Sequence, residues 1–561
     1  MSSQKNIKTL FLFLCLLIIS SVSSQHHNVK LEKPIGATYF AAPCEPCISM
    51  NPKNTNEIVV GSVLNGFHFT KDGGKSWTDT ILQSSLGVEG DPCIVIDNTG
   101  TYHYFHLANP PGGTRLSSIV HQSLTKIDGE WSDGIAIGNN IKKIHDKEWA
   151  VVDRSDNSIY LFWTIFDAYK SAEKKHKSNI YFSSFNPNSK KWTEPLRINQ
   201  FSGDCKDDDN SLVGVNTAVG PNGEVYAAWT GLGKIWFDRS FDKGKTWLKK
   251  DLVIAEQPEG WRFSIPGIYR TNGFPAIACD TSETSYRGNI YAVWADQRKG
   301  INNTTIFFSK SNDNGGYWSQ PKEIYEKNDE FHSFFPAIAI DQTNGKIWIA
   351  YYDRKKLTDN QTEVYLAYSE DGGETFDNFR ISKSPFIPDK EMFFGDYIAI
   401  AAHNNVVRPV WTRLDGFSLS LWTALVDINQ IGVDEHYTPD ILSGYEENIE
   451  IVNSWDLKNS AYDEWSDFQE KWFLEVYRPV LQKFNIEMNC SDCEYAYLDV
   501  VLYIDYEGKV VRFYLEKSNF CGKTVPAEIE KELLDSILKN KFSLSLSNKA
   551  IRVKLGTGLK C

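Results

Sequence analysis

Carboxylates and guanidinium groups recur in this sequence at a few spaced points: Asp91, Asp146 with Glu148, and Asp396, then Arg270 with Asn272, Asp296 with Arg298, Asp353 with Arg354, and Arg413. Paired carboxylates perform acid–base work when one is neutral and the other ionised, and guanidinium groups grip anionic or hydroxyl-rich ligands through paired hydrogen bonds. The same groups also pair with one another across loops in proteins that do no chemistry. A separate acidic loop, Gly203-Asp204-Cys205-Lys206-Asp207-Asp208-Asp209-Asn210, carries Asp204, Asp207, Asp208 and Asp209. Oxygen ligands at that density suit Ca2+, and a solvated loop is the alternative. No other cofactor is required by the residues present.

The elements that must position these groups are short strands. An octet reading [ST]xDxGxxW begins at Thr70, Ser240 and Ser311, and returns at Ser369 with Phe376 in place of Trp. Its Asp accepts backbone N–H groups in a tight turn, Gly two residues later permits positive φ, and the closing aromatic packs back on the hairpin. Asp72, Asp242, Asp313 and Asp371 therefore read as corner-builders. A second phrase, Phe274-Pro275-Ala276-Ile277-Ala278-Cys279-Asp280 and Phe335-Pro336-Ala337-Ile338-Ala339-Ile340-Asp341, is an apolar strand ending in a turn, followed by Asn289 to Asp296 or Lys346 to Asp353. A third strand ends in the octet and a fourth follows, which makes one four-stranded propeller blade.

First strands begin near Pro46, Pro92, Glu148, Asn216, Phe274, Phe335 and Asp396, giving seven blades, with six as the alternative count. Blades two and three carry degenerate turns at Asp128 to Trp131 and Asn186 to Ser189. The last blade shows three strands, and Ile35 to Phe40 is a candidate for the fourth, which would close the ring. With first strands starting on the upper face, the octets fall on the lower one. Asp91, Asp146, Glu148, Asn216, Asn272 and Asp396 then meet at the upper mouth of the central channel, with the second-strand ends at Asp296, Asp353 and Arg413 on the same face.

The octet resembles the Asp-box, or BNR repeat, of sialidase-like β-propellers. The resemblance is closest to secreted bacterial proteins of that fold, through Arg270-Thr271-Asn272-Gly273-Phe274-Pro275, Trp294-Ala295-Asp296-Gln297-Arg298, Tyr352-Asp353-Arg354, Phe394-Gly395-Asp396-Tyr397 and the acidic loop. It implies an all-β, sialidase-like propeller and bears on fold more than on function; a glycan or glycoconjugate at the channel mouth is the ligand expected of such a pocket. A sialidase proper would carry a Phe/Tyr-Arg-Ile-Pro motif near the first blade and three carboxylate-clamping arginines. Here no Arg lies between the leader and Arg115, and the nearest phrase is Trp261-Arg262-Phe263-Ser264-Ile265-Pro266.

Composition narrows the class. The chain has 561 residues, 13% of them aromatic, and a formal charge of −13. The aromatic content suits a strand-rich fold, and the acidity argues against nucleic acid or an anionic membrane surface as partner. Lys5, Lys8 and the apolar run Leu10 to Ile19 read as a secretory signal over residues 1–24, too short to span a bilayer and followed by no segment that would. Cys15 lies within that run. The expected location is therefore periplasmic, cell-surface or secreted. Nine cysteines remain, some expected to pair in an oxidising compartment, while zinc is disfavoured because the CxxC pairs Cys44/Cys47 and Cys490/Cys493 fall in different domains.

The propeller is assigned to residues 25–430 and a polar linker to 431–463. A small α+β domain follows at 464–561, with helices at Glu464 to Phe484 and Pro526 to Lys539 and strands at Tyr495 to Tyr506, Lys509 to Lys517 and Ala550 to Leu555. Its phrase Ile504-Asp505-Tyr506-Glu507-Gly508-Lys509-Val510 resembles the TonB C-terminal fold, which implies an accessory module for a protein partner. Two functions stay open. One is a glycan-binding propeller that, as an enzyme, is a glycoside hydrolase using Asp91, Asp146, Glu148 and Asp396, with the arginines as clamps. The other is a non-catalytic interaction scaffold.

Overall fold

The structure, a computed structural model, describes residues 26–32, 42–325, 329–355, 357, 360–415 and 418–426, and the backbone of four further strands between 451 and 558. The chain divides into two compact units, Met1–Gly432 and Val433–Cys561.

Seven antiparallel sheets form the blades of the first unit, six of them four-stranded and the third with its outer strand in two short pieces, Lys191–Trp192 and Leu196–Arg197. Their first strands are Cys47–Met50, Cys93–Ile96, Ile144–Asp153, Val213–Val219, Ala276–Cys279, Ser333–Asp341 and Ala399–His403. Each abuts the first strand of the next sheet, and the seventh abuts the first, so the sheets close into a propeller around a central channel. The count of six is excluded. The seventh blade takes its outermost strand from the N-terminal side, His27–Leu31, paired antiparallel with Ser418–Leu425. Closure thus works as expected but uses a segment upstream of Ile35 to Phe40, which lies outside the described residues, as does the expected leader. In His27-Asn28-Val29-Lys30-Leu31 only Leu31 is fully buried, as suits an outer edge strand.

Second strands are sealed on both sides. Trp163, Trp229, Trp294, Trp348 and Trp411, all on second strands, are among the largest fully buried side chains of the molecule. These rings fill the wedge between neighbouring blades, where a continuous apolar strand is required.

The octets sit at the turns from third to fourth strands, at the opposite end of each blade from the start of its first strand. In the first, the Asp72 carboxylate accepts from Lys75 N at 2.9 Å, Ser76 N at 3.0 Å and the Ser76 hydroxyl, while Gly74 N donates to Thr70 Oγ1 at 3.1 Å. The closing aromatic does more than fold back. Trp247 Nε1 donates to Gly244 O at 3.1 Å, and its ring packs edge-on against Phe182 of the preceding blade at 5.1 Å. Trp318 meets Phe237, and Phe376 meets Phe308, in the same way. Gly244 is needed twice over: its φ is 83°, and a Cβ there would come within 2.1 Å of the Phe182 ring. The octet is a blade-to-blade latch.

In the propeller unit Cys47, Cys93, Cys205 and Cys279 are buried thiols outside any disulfide, and the four cysteines from Cys490 onward lie outside the described residues. Two of them have other work. Cys47 Sγ accepts Ile94 N at 3.1 Å and Cys93 Sγ accepts Ala150 N at 3.2 Å, each linking one first strand to the next. Asn216 does the same for Ile277 N at 2.9 Å.

The second unit contains a four-stranded sheet in which Ile451–Asn453 runs parallel to Lys549–Gly558, which pairs with Tyr495–Ile504 and through it Val510–Phe520. The two helices expected in this unit lie outside the described residues. Ile451–Asn453 falls where a linker was expected.

Candidate functional site

At the upper end of the channel every blade presents one residue, just before its first strand in blades one, two, five and seven and at a register shift within it in blades three, four and six. In order these are Glu45, Asp91, Lys147, Gly214, Phe274, Phe335 and Asp396. The backbone there is bulged. Register shifts fall between Asp146 and Trp149, Val213 and Asn216, and Phe334 and Ala337. Glu45, Asp91, Lys147 and Phe335 have φ near 50°, a left-handed conformation that is uncommon outside Gly and marks local strain. Gly214 takes the same conformation at 68°, and a Cβ on it would strike the Phe274 ring at 2.5 Å.

Four of these seven positions converge on one charge cluster. Lys147 Nζ lies 3.0 Å from Asp396 Oδ2 and 3.3 Å from both Glu45 Oε1 and Asp91 Oδ1. Arg270 forks onto Asp396, with Nε 2.7 Å from Oδ1 and the second contact through Nη2. Asn272 Nδ2 donates to Asp396 O at 2.9 Å, and Asp396 N donates to Glu45 Oε1 at 3.1 Å. Lys147 also stands 4.7 Å over the Tyr397 ring, and Arg270 4.7 Å over Phe393.

Three further acids surround this core. The Asp146 carboxyl is near enough to Asp91 for the two acids to act on each other. Asp207 accepts from Tyr169 Oη at 2.6 Å and adds its charge to that of Asp91 around Asp146. Glu148 is 2% exposed, and neither of its carboxylate oxygens has a partner on another residue.

This environment splits the carboxyls into two kinds. Burial pushes Glu148 and Asp146 well above the ordinary carboxylate range, and the neighbouring charge of Asp91 adds to it. Burial likewise raises Glu45, against the opposing pull of Lys147. At Asp396 burial is outweighed by Arg270 and Lys147, which hold it far below its usual value. Carboxyls pushed up and a carboxyl held down therefore share one mouth, a division that acid–base chemistry uses. Asp396, 3% exposed with both oxygens held by cations, serves there as an anchor.

The cluster opens on a cavity of ≈ 140 Å³ lined by residues of all seven blades, among them Asp91, Glu148, Trp149, Asn272, Phe335 and Tyr397. That is room for on the order of ten waters, or about one sugar ring.

The structure thus brings together Asp91, Asp146, Glu148, Arg270, Asn272 and Asp396. The other arginines are engaged elsewhere. Arg298 Nε lies 2.8 to 2.9 Å from the oxygens of its own neighbour Asp296 and stacks 4.3 Å over Phe307. Arg413 Nε is 2.9 Å from both oxygens of Asp415, and its Nη1 reaches Ser384 O at 2.8 Å. Arg354, 6% exposed, donates to Thr362 Oγ1 and to Pro266 O at 2.7 Å. Asp353 accepts from Tyr325 Oη and Ser333 Oγ. None of these five residues lines the mouth cavity. They fasten loops on the upper face, as ion pairs of this kind commonly do.

In the acidic loop the four carboxylates face different partners. Asp204 takes the Ser211 hydroxyl, Asp207 that of Tyr169, Asp208 takes Asn210 N and Asp209 takes Arg262 N. No group of three or more His, Cys, Asp or Glu among the described residues is arranged to hold a metal ion.

Glu45 and Lys147 were not singled out from the sequence. The signal for Glu45 was present, since Glu45-Pro46-Cys47-Ile48 matches Asp91-Pro92-Cys93-Ile94. Lys147 lies between two acids on a strand, where simple alternation would send it to the opposite face. The bulge turns it inward. A Ser-His-Asp set also appears in blade one, with Ser62 Oγ 3.4 Å from His68 Nε2 and His68 Nδ1 2.6 Å from Asp79. Ser62 and His68 are completely buried, so no substrate reaches them and the set belongs to the packing of the blade.

The chain matches no family model and no curated protein. Solved structures similar to it are sialidases and related propellers at low identity. A polysaccharide lyase of family PL25, an ulvan lyase bound to -[GlcA(1-4)Rha3S]-, is 13% identical over 71% of this chain and 96% of its own, with a TM-score of 0.44. The Hadza microbial sialidase Hz136 is 12% identical over 67% and 74%, at 0.38. The NanB sialidase of Streptococcus pneumoniae is 10% identical over 67% and 84%, at 0.38.

Proposed function

We propose that this chain is an exported glycan-binding propeller whose ligand seats in the upper mouth of the central channel, and that it is not a sialidase of the arginine-clamp kind. The observation that carries this reading is the cavity itself, where Asp91 and Asn272 stand among Trp149, Phe274, Phe335 and Tyr397 in a pocket the size of one sugar. Hydroxyl-rich ligands are held in this way, by carboxylate acceptors around the ring edge and flat apolar surfaces on its faces. Against a sialoside stands the electrostatics. Arg270 and Lys147 are already paired with carboxylates, and Arg298, Arg354 and Arg413 are bound locally, which leaves an acidic sugar facing acids.

Hydrolysis is favoured by one specific feature, carboxyls pushed up at Asp146 and Glu148 beside an Asp396 held down. In that reading Asp146 donates the proton to the departing glycosidic oxygen, and Asp91, which lines the cavity, is the partner carboxylate.

Screening the purified full chain on a glycan array, followed by reducing-end release on every glycan bound, tests both levels. Binding without release that is weakened by Asp91→Asn leaves a lectin-like propeller. Release abolished by Asp146→Asn establishes the hydrolase. No binding to any glycan leaves the interaction scaffold as the surviving account.

A further inference from the structure

The lower end of the channel, inward of the octets, holds a second cavity of ≈ 270 Å³, about twice the ≈ 140 Å³ of the one at the upper mouth. It is lined by the ends of the first strands of blades three, four and five, by the turns that follow them, and by Gln342 of blade six. Two arginines stand in its wall. Arg154 lies in the turn after Ile144–Asp153 and Arg287 in the turn after Ala276–Cys279, so they flank blade four, whose own turn contributes Gly220 and Pro221.

Both guanidinium groups are fixed through one nitrogen and open at the other two. Arg154 Nη1 donates to Ile96 O at 3.3 Å, and its carbonyl accepts Asn98 Nδ2, both contacts coming from blade two. Arg287 Nη1 donates to Thr281 O, to Ser282 O at 2.9 Å and to Glu283 Oε1 at 3.0 Å. That turn is pinned in its place by Gln342, whose Oε1 accepts Thr281 N at 2.7 Å and whose Nε2 donates to Cys279 O at 2.9 Å. Nε and Nη2 of each arginine have no hydrogen-bond partner among the described residues, and both residues are exposed.

The acids nearby are already engaged. Asp153 lines the cavity, but one oxygen accepts from Ser155 N at 2.9 Å and from the Ser155 hydroxyl, and the other lies 3.6 Å from Lys243 Nζ. Asp97, whose charge acts on Arg154, accepts from Thr99 N, the Thr99 hydroxyl and Thr101 N, and stands 3.5 Å from His103 Nε2. Glu283 is 91% exposed, so water screens its pair with Arg287. At the upper mouth Lys147 and Arg270 are closed onto carboxylates. Here the forks stay open.

We propose that the lower end of the channel binds a doubly charged tetrahedral oxyanion, a phosphate or sulfate group carried free or as an ester, between Arg154 and Arg287. With Nη1 taken, each guanidinium still offers the edge formed by Nε and Nη2, two parallel N–H donors that match two oxygens of one anion. Two such edges from different blades need an acceptor with oxygens on more than one side. A tetrahedral anion has them, whereas a carboxylate presents two oxygens in one plane and a single fork uses both. A phosphate monoester carries about −1.5 to −2 at pH 7, which answers both guanidinium charges. The formal charge of −13 repels anions from the chain as a whole, so binding here depends on these two groups.

The test is calorimetric titration of the full chain at pH 7 and constant ionic strength with inorganic phosphate, sulfate, glycerol phosphate and acetate. Phosphate and sulfate are expected to bind saturably and roughly tenfold or more tighter than acetate, the ratio that one further charge-assisted hydrogen bond supplies. Arg154→Gln combined with Arg287→Gln should abolish the binding, while Asp91→Asn at the upper mouth should leave it unchanged. Arg154→Lys keeps the charge and loses the fork, so it should weaken phosphate severalfold, and it decides the matter should the double variant not fold. Phosphate and sulfate also stabilise proteins through exclusion from their surfaces, but that effect does not saturate and is the same in the double variant. Glycerol phosphate binding as tightly as phosphate assigns an esterified ligand, and its exclusion with phosphate retained assigns the free ion. Acetate equal to phosphate, no saturable binding of any anion, binding that survives the double variant, or full affinity in Arg154→Lys overturns the proposal. None of these outcomes bears on the glycan reading, which concerns the other end of the channel.

Discussion

At the lower end of the blades the same octet builds the same latch four times, with Asp72, Asp242, Asp313 and Asp371 in equivalent turns. At the upper end the equivalent position is filled by Glu45, Asp91, Lys147, Gly214, Phe274, Phe335 and Asp396, so the backbone repeats while the side chains do not. The difference separates scaffold from site. A residue that must serve the same corner in every blade is constrained by that corner, whereas one that faces the channel axis is constrained by what the channel holds. The upper ring is also divided within itself, since blades seven, one, two and three supply its charges and blades four, five and six supply glycine and phenylalanine. A ligand entering there meets a polar arc and an apolar arc, as a sugar ring does with its edge and its face.

Substitutions at the two ends should behave differently. The largest effect is expected for Lys147→Met, which leaves Glu45, Asp91 and Asp396 facing one another with Arg270 as the remaining cation. Breaking a buried pair of this kind costs about 3–5 kcal/mol, and denaturant unfolding at pH 7 would read it. A loss under 1 kcal/mol would mean the cluster is hydrated and loosely held. Next is Asp242→Ala at the lower end, expected to cost about 1 kcal/mol through the turn hydrogen bonds and to leave ligand binding unaltered.

The two ends should also respond oppositely to pH. Glu45, Asp146 and Glu148 are raised in the folded protein, so the folded state binds more protons than the unfolded one above the ordinary carboxylate range. Stability then falls as pH rises from about 4 toward their folded values. Asp242 is held down to about 2, chiefly by the Thr246 hydroxyl, and its contribution is complete at neutral pH and lost as pH falls from about 4 toward 2. Glu148→Gln should therefore raise stability at pH 8 and change little at pH 4. Melting curves of the two proteins across that range would show it, and a constant offset at all pH values would contradict it. The smallest effect concerns the acidic loop. Because Asp204, Asp207, Asp208 and Asp209 face separate partners, millimolar Ca2+ is expected to leave the melting temperature unchanged, and a rise of several degrees would show that the loop rearranges around an ion.

The same contrast explains what could be read in advance. The octets and the apolar first strands are local patterns, so seven blades and the upper mouth followed from spacing alone. Asp91, Asp146, Glu148 and Asp396 were legible because topology places the start of every first strand at the channel. Arg298 and Arg413 lie on the same face, but a guanidinium two residues from a carboxylate folds onto it at 2.8 to 2.9 Å, and that short-range geometry outweighs position. Lys147 was hidden by a bulge that breaks strand alternation, and His27–Leu31 by its closeness to the expected leader. The sequence offers Cys47 and Cys93 as disulfide candidates, and they serve as acceptors of backbone N–H groups. Their role in joining first strands depends on contacts between blades that the sequence does not display.

The most direct test of the account compares the two ends in one assay. Thermal shift on adding a bound glycan would be measured for the unaltered protein, for Asp91→Asn with Glu148→Gln at the mouth, and for Asp242→Asn with Asp371→Asn at the latches. The account predicts that the glycan-dependent shift disappears in the mouth variant and persists in the latch variant, even though the latch variant melts lower. A shift retained at the mouth, or lost at the latches, would contradict it.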